Sequence, residues 1–408
     1  MIIDRLGLVE RIAGMSKWTL VYGRRKTGKT FLIREFVPHD RYFFVKRDRT
    51  ILTGSDGHMK SMVYDTFTEV LQLELSNGKT VVVDEFHRLG DDLFDLLHSM
   101  KKNGRLILVS STLYLSKKLL DERSPLMGLF AEVPVPLIEL SDTLNGLDVQ
   151  GKKNLMELAL VLREPITIDY MGKGDARDIL REVLSGSLKT IPALVGEIFL
   201  EEERHLSAIY EGVLRAVATG HVVSGRIADY LFSHRLIDKN DPSLVQQYLA
   251  NMVELGILKK TKVYNKNRYR YGHPSHLVHL YYYGDEHYNI SEREPSGEEL
   301  DRLITEIFPI LMEDVIREFL AKKHGLAEAV IETSDDDVDV CLLKFKKPEI
   351  VGEVKWKKKV TGGDIARAEE VLSKIEAKKR FIFVPDKSKV DSELLEVMDV
   401  TDLVGSLH

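Results

Sequence analysis

The sequence predicts a multidomain α/β chain: a doubly wound parallel sheet, then a helical lid, a winged helix and a small C-terminal α/β domain. Three observations predict it. A strand-like run over 18–22 leads into Gly23-Arg24-Arg25-Lys26-Thr27-Gly28-Lys29-Thr30, and a helical stretch starts at Phe31. That is the G-x-x-x-x-G-K-[ST] pattern in its strand–loop–helix context. An apolar run over 80–83 ends in two acids, Asp84 and Glu85. Beyond Asn145 the alternation of strands and helices stops, and strand-like segments return only from Ile257 onward.

Length and composition bound the reading. At 408 residues the chain exceeds one ordinary core, so several domains are expected. The net charge of −6 excludes a globally basic nucleic-acid binder and leaves room for local basic patches. The single cysteine, Cys341, excludes an intramolecular disulfide framework and sits in an apolar run that suits a buried thiol. No apolar run approaches the ~20 residues of a membrane span, and the N-terminus lacks the pattern of a signal peptide. A cytoplasmic protein with no membrane partner is expected, with oligomerisation left open.

The glycine loop carries the first chemistry. A strand, a loop and a helix start together aim backbone N–H groups and the positive helix end at a phosphate chain. Gly23 and Gly28 supply dihedrals and close approach that a Cβ blocks. Lys29 reaches toward the β- and γ-phosphates of ATP, or the β-phosphate of ADP, and Thr30 toward Mg²⁺. Arg24, Arg25, Lys26, Thr27 and Phe31 complete the expected cofactor-binding stretch. Asp84 is expected in the Mg²⁺ shell, and Glu85 is expected to polarise the attacking water. A glycine turn with a chance lysine is the bland alternative, and the acid-ended strand downstream argues against it.

The rest of the first domain, 1–144, follows in order. Residues 1–16 form an amphipathic lead-in. Strands are expected at 41–45, 105–109 and 131–140, helices at 62–73 and 91–103, and a turn at 55–57. The strand at 105–109 ends at Ser110-Ser111, and one of these hydroxyls is expected to sense the γ-phosphate. Ligands of such a sheet belong at the carboxyl ends of its strands.

Residues 145–205 read as a helical lid, with helices at 152–163 and 176–184 and an apolar helix after Pro192. Residues 206–283 read as a winged helix: helices at 206–219, 225–232 and 243–255, then strands at 257–261 and 268–271. The third helix has neither Lys nor Arg, whereas the hairpin holds Lys259, Lys260, Lys262, Lys266, Arg268 and Arg270. Any DNA contact is therefore expected through the wing. The polar stretch 284–297 reads as a linker. Residues 298–408 read as a separate domain, with a long helix, strands at 327–332, 338–345 and 349–355, a helix at 364–377 and a strand at 380–384.

Tyr22-Gly23-Arg24-Arg25…Gly28-Lys29-Thr30, Asp84-Glu85-Phe86 and Ser124-Pro125-Leu126-x-Gly128 together resemble the archaeal ATPase family of AAA+/STAND type. The resemblance covers most of the chain, because the order of domains is also that family's. It implies binding of ATP with Mg²⁺, hydrolysis, and contact of Pro192 in the lid with the nucleotide. Two positions depart from the family pattern: Leu129 stands where an arginine is usual, and Thr190 stands where a glycine is usual before Ile191-Pro192.

The C-terminal domain resembles the PD-(D/E)xK nuclease fold, with Asp339 and Glu353-Val354-Lys355 at the matching positions and Glu313 as a further acid. Glu353 and Lys355 are two apart on a strand and share a face. Asp339 on the neighbouring strand joins Glu353 around one Mg²⁺ or Mn²⁺, and Lys355 acts on water beside it. Lys344, Lys346, Lys347, Lys357, Lys358 and Lys359 surround them. A surface ion pair on an edge strand is the alternative for Glu353 and Lys355.

Three functional readings follow. The first is a Mg²⁺-dependent ATPase attacking the γ-phosphate with water, coupled to DNA. The second is a nucleotide-gated switch with little turnover, which Leu129 favours. The third is an ATP-regulated DNA nuclease.

Overall fold

A computed structural model describes residues 2–54, 59–90, 92–101, 103–112, 126, 128–147, 155–171, 174–201, 207–332 and 337–404. The turn expected at 55–57, the start of the helices at 91, 152 and 206, Ser124-Pro125 of the family-like motif and Asp335-Asp336 lie outside these residues. The chain divides into two compact units. One comprises Asp4–Leu137 with Leu194–His205, and the other Met1–Ile3, Ile138–Ala193 and Leu206–His408.

The first unit contains α1 (Leu6–Ala13), β1 (Trp18–Tyr22), α2 (Lys29–Phe36), β2 (Arg41–Val45), β3 (Ile51–Thr53), β4 (Lys60–Met62), α3 (Tyr64–Ser76), β5 (Thr80–Asp84), α4 (Asp92–Ser99), β6 (Arg105–Ser110) and β7 (Phe130–Pro134). They build one sheet in the order β4-β3-β2-β5-β6-β1-β7. The five strands from β2 to β7 run parallel, and β3 and β4 add an antiparallel edge. Parallel strands covered on both faces need continuous apolar runs, and β5 and β6 supply them. Val81 and Val83 face a core with Phe43, Phe67 and Leu71, while Val82 faces Ile33, Ile107 and Val109 on the other side.

The edge ribbon β3–β4 was not anticipated, and its residues 60–62 shorten the helix expected from 62. The strand expected over 131–140 stops at Pro134. Pro136 cannot donate to a ladder, which limits any extension.

The second unit begins with α5 (Leu140–Gly146), α6 (Leu155–Val161), α7 (Ala176–Ser187) and the first turn of α8 (Thr190–Glu201). Asp175 and Asp178 form a reciprocal capping box that starts α7. Then come α9 (Ala208–Ala218), α10 (Ser224–Ser233), α11 (Pro242–Glu254) and the hairpin of β8 (Lys259–Val263) and β9 (Tyr269–Gly272). This matches the three helices and two strands read from the sequence.

The connection expected over 284–297 is shorter in the structure, running over 289–296 between two helices. Gly284–Tyr288 complete α12 (His276–Tyr288), whose buried Tyr281, Tyr282 and Gly284 hold it to its neighbours. Next comes α13 (Gly297–His324), started by a Ser296–Glu299 capping box and stopped at Gly325 in the left-handed region. At 28 residues, α13 is about 40 Å long. It packs against α5, α6, α7 and α12 as well as against the C-terminal strands. Arg163 adds a two-pronged contact to Glu318, at 3.1 and 2.5 Å. This spine is why the helices after 138, the three-helix segment and the C-terminal sheet belong to one unit and not to successive separate bodies.

The sheet of this unit runs β14-β13-β12-β11-β10-β8-β9. It contains β10 (Ala327–Glu332), β11 (Asp337–Lys344), β12 (Lys347–Val354), β13 (Lys379–Phe383) and β14 (Glu396–Met398). The remaining helices are α14 (Gly362–Ser373) and α15 (Val400–Val404). The hairpin that reads as a wing is the end of this sheet: β8 pairs in parallel with β10, Lys262 opposite Ala329 and Val263 opposite Val330. The expected separation of the winged helix from the last domain is therefore corrected by a shared backbone ladder.

Three histidines, His273, His276 and His279, are buried in this unit. The Nε2 of His273 lies 3.1 Å from the Leu214 carbonyl, and that of His279 lies 3.1 Å from the Ala218 carbonyl. No single helix among the described residues is long and apolar enough to cross a membrane; α7 and Thr190–Leu200 pass that test only as a pair bent by 64°.

Candidate functional sites

The carboxyl ends of β1, β5 and β6 bring the first set of residues together. β1 feeds the glycine loop, β5 ends in Asp84, and β6 ends in Ser110, with Tyr22 opposite Ser110 and Asp84 opposite Val109. Gly23 is required by space: a Cβ there would stand 2.3 Å from the Val135 carbonyl oxygen. Gly28 has φ 83°, and Lys26 also lies in the left-handed region at φ 63°. Thr27 closes the loop by donating to the Arg24 carbonyl at 3.0 Å.

Lys29 opens α2, and its Nζ donates to the carbonyls of Gly23 (2.9 Å) and Arg24 (2.8 Å). Burial pushes its ammonium down to about 8, against the pull of Glu85 and Asp84. Thr30 Oγ1 donates to Asp84 Oδ2 at 2.8 Å, and the Tyr42 hydroxyl donates to the same oxygen at 2.7 Å. The Glu85 amide donates to Asp84 Oδ1 at 2.8 Å. Burial raises the Asp84 carboxyl, while the hydrogen bonds from Tyr42 and Thr30 favour its ionised form. A hydroxyl and a carboxylate in contact are the hard oxygen donors that Mg²⁺ takes, so Thr30 and Asp84 fit that ion.

Glu85 is in the left-handed region at φ 58°, which turns its side chain out of the strand path. Its Oε2 meets Arg88 Nη2 at 2.6 Å and Ser111 Oγ at 3.2 Å. Arg88 also donates to the Val45 carbonyl at 2.7 Å and lies over the Phe44 ring. Of the two serines, Ser111 is the one that touches Glu85. Ser110 turns to His87 and Thr112.

The other expected residues are less central. Phe31 is half exposed and packs edge-on against Phe36. Arg25 pairs with Glu197 at 3.2 Å, and Arg47 approaches the same carboxylate at 3.6 Å. Pro192 lies in the first turn of α8, in the unit that does not carry the glycine loop. Leu129 packs against the apolar core under the sheet.

Two residues were missed by sequence reasoning. Arg5, buried in the lead-in, donates to the carbonyls of Thr27, Pro136 and Leu137 and so holds the glycine loop to the strand behind it. Tyr42 reads as a strand aromatic, and only the parallel pairing of Phe44 with Asp84 brings its hydroxyl to the carboxylate. No sequence signal pointed to either.

A second set gathers in the other unit. The ladder of β11 and β12 pairs Val340 with Gly352, which puts Asp339 beside Glu353 on one face. The Val354 amide donates to Asp339 Oδ2 at 2.9 Å. Lys355 Nζ lies 2.5 Å from Glu353 Oε2 and 3.8 Å from Asp339 Oδ2. Glu313 approaches from α13. Burial, then the Asp339 carboxylate, raises Glu353 to about 7, and the same two causes raise Glu313 well above the carboxylate range. Burial raises Asp339 too, with Lys355 pulling the other way. Burial lowers Lys355, but Asp339 and Glu353 outweigh it and its ammonium is held above its ordinary value.

Glu353 is buried, and its Oε1 has no hydrogen-bond partner. Two clefts flank these acids. One of about 470 Å³ is lined by Asp337, Asp339, Glu353, Lys355, Asp364 and Arg367. The other, of about 310 Å³, includes Lys259, Arg270, Glu313, Asp314, Asp337 and Asp339. Among the described residues, no three His, Cys, Asp or Glu side chains are grouped as a metal site.

Among the described residues, four of the six expected wing cations are in ion pairs, Lys259 with Asp314 at 3.7 Å. Lys266, Arg268 and Arg270 all reach Glu332 at the end of β10, and Arg270 also pairs with Asp337 at 3.0 Å. The sheet brings acidic partners alongside these three, which nevertheless stay partly exposed.

Comparison with known proteins adds one family. Residues 15–138 match the family model of the AAA domain. No curated protein matches the sequence. Among solved structures, the chain is similar to the Aeropyrum pernix ORC2 protein in its ADPNP–ADP complexes, at 15% identity and a TM-score of 0.39, over 75% of this chain and 95% of that one. It is similar to the Aeropyrum pernix ORC1 protein in complex with DNA at 15% identity and 0.31, over 72% and 95%. It is also similar to Cdc6p from Pyrobaculum aerophilum at 13% identity and 0.27, over 73% and 91%.

Proposed function

We propose that the chain binds ATP in the glycine loop and hydrolyses it with Mg²⁺. The observation that carries this is the contact of Thr30 with Asp84 at 2.8 Å, beside a buried Lys29 held over the loop. Thr30 and Asp84 would hold Mg²⁺, which neutralises phosphate charge when bound. The loop amides and the start of α2 orient the phosphates. The Lys29 ammonium exchanges the Gly23 and Arg24 carbonyls for phosphate oxygens. Glu85 accepts a hydrogen bond from the attacking water and aligns it. Ser111, bonded to Glu85, is the hydroxyl in reach of that water. Lys29→Ala tests the reading: nucleotide affinity should fall at least tenfold, about 1.4 kcal/mol. Unchanged affinity would remove the glycine-loop argument.

A second reading concerns the acids of the other unit. Asp339 and Glu353 share a face with Lys355, and Glu353 Oε1 is buried without a partner. Mg²⁺ keeps several waters and needs only one or two carboxylates, so these two fit it. Lys355 would then hold and orient a water for attack on a phosphodiester. Incubating the protein with plasmid and Mg²⁺ or Mn²⁺ tests this, with Asp339→Asn and Lys355→Ala expected to abolish cleavage and spare ATP binding. No cleavage under either ion sinks it.

A further inference from the structure

The turn between β11 and β12 is built against its own backbone preferences. Lys344 pairs with Lys347, so Phe345 and Lys346 are a two-residue hairpin loop. Both have positive φ, 49° and 66°. Such loops select Asn-Gly, Asp-Gly or Gly-Gly, because a Cβ is strained there. A phenylalanine at the first position is the costly choice. Nothing in the fold repays it: Phe345 is 90% exposed, the highest exposure of any large apolar side chain among the described residues.

The charges around it are equally unsatisfied. Lys344, Lys346 and Lys347 are exposed, and none makes an ion pair among the described residues. Lys266, Arg268 and Arg270 of the β8–β9 hairpin contrast with this, being paired with Glu332 and Asp337. Six residues of strand separate Phe345 from Asp339, about 20 Å.

We propose that this tip binds single-stranded nucleic acid, with a base stacked on the Phe345 ring and phosphates on Lys344, Lys346 and Lys347. This inference rests on the reading of the carboxylate cluster as a nucleic-acid site, whose substrate strand it would hold about 20 Å from the acids. Base stacking on an exposed aromatic tolerates any sequence, and neighbouring cations follow the backbone. A protein partner is a poorer fit, since lysine is depleted at protein interfaces. A lipid surface is poorer too, because one apolar side chain with a small basic patch gives only marginal, reversible attachment.

The test is fluorescence anisotropy of a labelled oligothymidylate with the full-length protein, in EDTA so that no cleavage intervenes. Phe345→Ala should weaken binding about tenfold, the scale of one lost stack, and Phe345→Tyr should restore it. Replacing the three lysines with Gln should lower the salt slope by about two. The double change Phe345→Asn with Lys346→Gly separates a ligand role from a structural one. It gives the turn its favoured residues, so the melting temperature should rise while affinity falls. Affinity unchanged in this pair and in Phe345→Ala overturns the proposal. So does binding to anionic phospholipid vesicles that these variants lose while their oligonucleotide affinity stays. Cleavage variants at Asp339 should leave this affinity intact, so a silent carboxylate site and a silent tip give different results.

Discussion

The carboxylate of Glu85 is held by the guanidinium of Arg88 at 2.6 Å, three residues away and within one turn. Both groups are largely withdrawn from solvent, so the pair is poorly screened and each charge satisfies the other. A carboxylate paired in this way is a weak acceptor for water. If Glu85 aligns the attacking water, Arg88 competes with that water for its carboxylate. Arg88→Ala should raise the rate of ATP turnover at unchanged nucleotide affinity, and Glu85→Gln should abolish turnover at unchanged affinity. Steady-state hydrolysis with parallel equilibrium binding checks both. Arg88→Ala slower than the parent would mean that the pair aligns Glu85 productively.

Arg5 yields a second prediction. Its guanidinium reaches Thr27 in the glycine loop and two carbonyls beyond β7. Arg5→Ala removes three charge-assisted bonds, two of them buried and one part-buried. The unit should lose about 2–4 kcal/mol, and nucleotide affinity should fall because the loop is no longer braced. Arg5→Lys should recover part of the stability, since a lysine has no planar fork. Chemical denaturation with tryptophan fluorescence from Trp18 reports on this unit, where the indole donates to the Gly104 carbonyl.

Local signals made some of this legible and not the rest. The glycine loop and the acid-ended strand each lie within a few residues, and they carry their own chemistry in sequence. Thr30 was expected to meet Asp84 at one Mg²⁺, because the two motifs together carry that pairing. Tyr42 was not, since it reaches Asp84 only through the pairing of β2 with β5. The β8–β9 hairpin shows the limit most clearly. Its cations are visible in the sequence, and its three-residue spacing reads as a free wing. Three of them, Lys266, Arg268 and Arg270, meet Glu332, brought alongside by a parallel pairing with β10 that nothing local encodes. The start of the linker expected at 284–297 was misplaced for a similar reason. Gly284 reads as a break, but it is packed where a Cβ would meet Leu303 and Ile290 within 2.9 Å, so it permits helix contact. Asp339, Glu353 and Lys355 were legible because the two-residue spacing and an adjacent antiparallel strand are enough to share a face.

The hairpin cations give a third prediction. If Lys266, Arg268 and Arg270 serve Glu332 and Asp337, replacing all three with Ala should lower the stability of the second unit and leave the salt dependence of any nucleic-acid affinity where it was. Glu332 is nearly buried, so stripping its partners leaves an uncompensated carboxylate, and the cost should exceed the 0.2–1 kcal/mol of an exposed pair. Adding Glu332→Gln to the triple change should recover most of the loss. A drop in salt slope of about two or more in the triple variant would return these residues to the phosphate backbone.

The buried histidines set the acid limit of the same unit. Burial is the main cause that pushes His273 and His276 down to about 3 and lowers His279 as well. His279 adds to the effect on His273, and Arg163 to that on His276, while Asp314 pulls all three upward. In the unfolded chain each takes its proton near pH 6.5. Above that value both states are neutral and these groups contribute no slope. As pH falls below it, the unfolded chain binds protons that the folded chain refuses, so stability is lost until the folded values near 3 are reached. Each histidine contributes at most about 1.4 kcal/mol per pH unit in that window. The acids at the carboxylate cluster work the other way, because Glu353, held near 7, keeps its proton in the folded state while the unfolded carboxyl ionises near 4.5. An Asp339→Asn, Glu353→Gln, Glu313→Gln background removes that opposing term. In it, urea unfolding should show stability flat from pH 8 to 7 and falling steeply from 6 to 4, with the slope reduced by about one proton in His276→Gln. A slope unchanged by His276→Gln would mean that this imidazole is already protonated in the folded chain, and that Asp314 and Glu318 outweigh its burial.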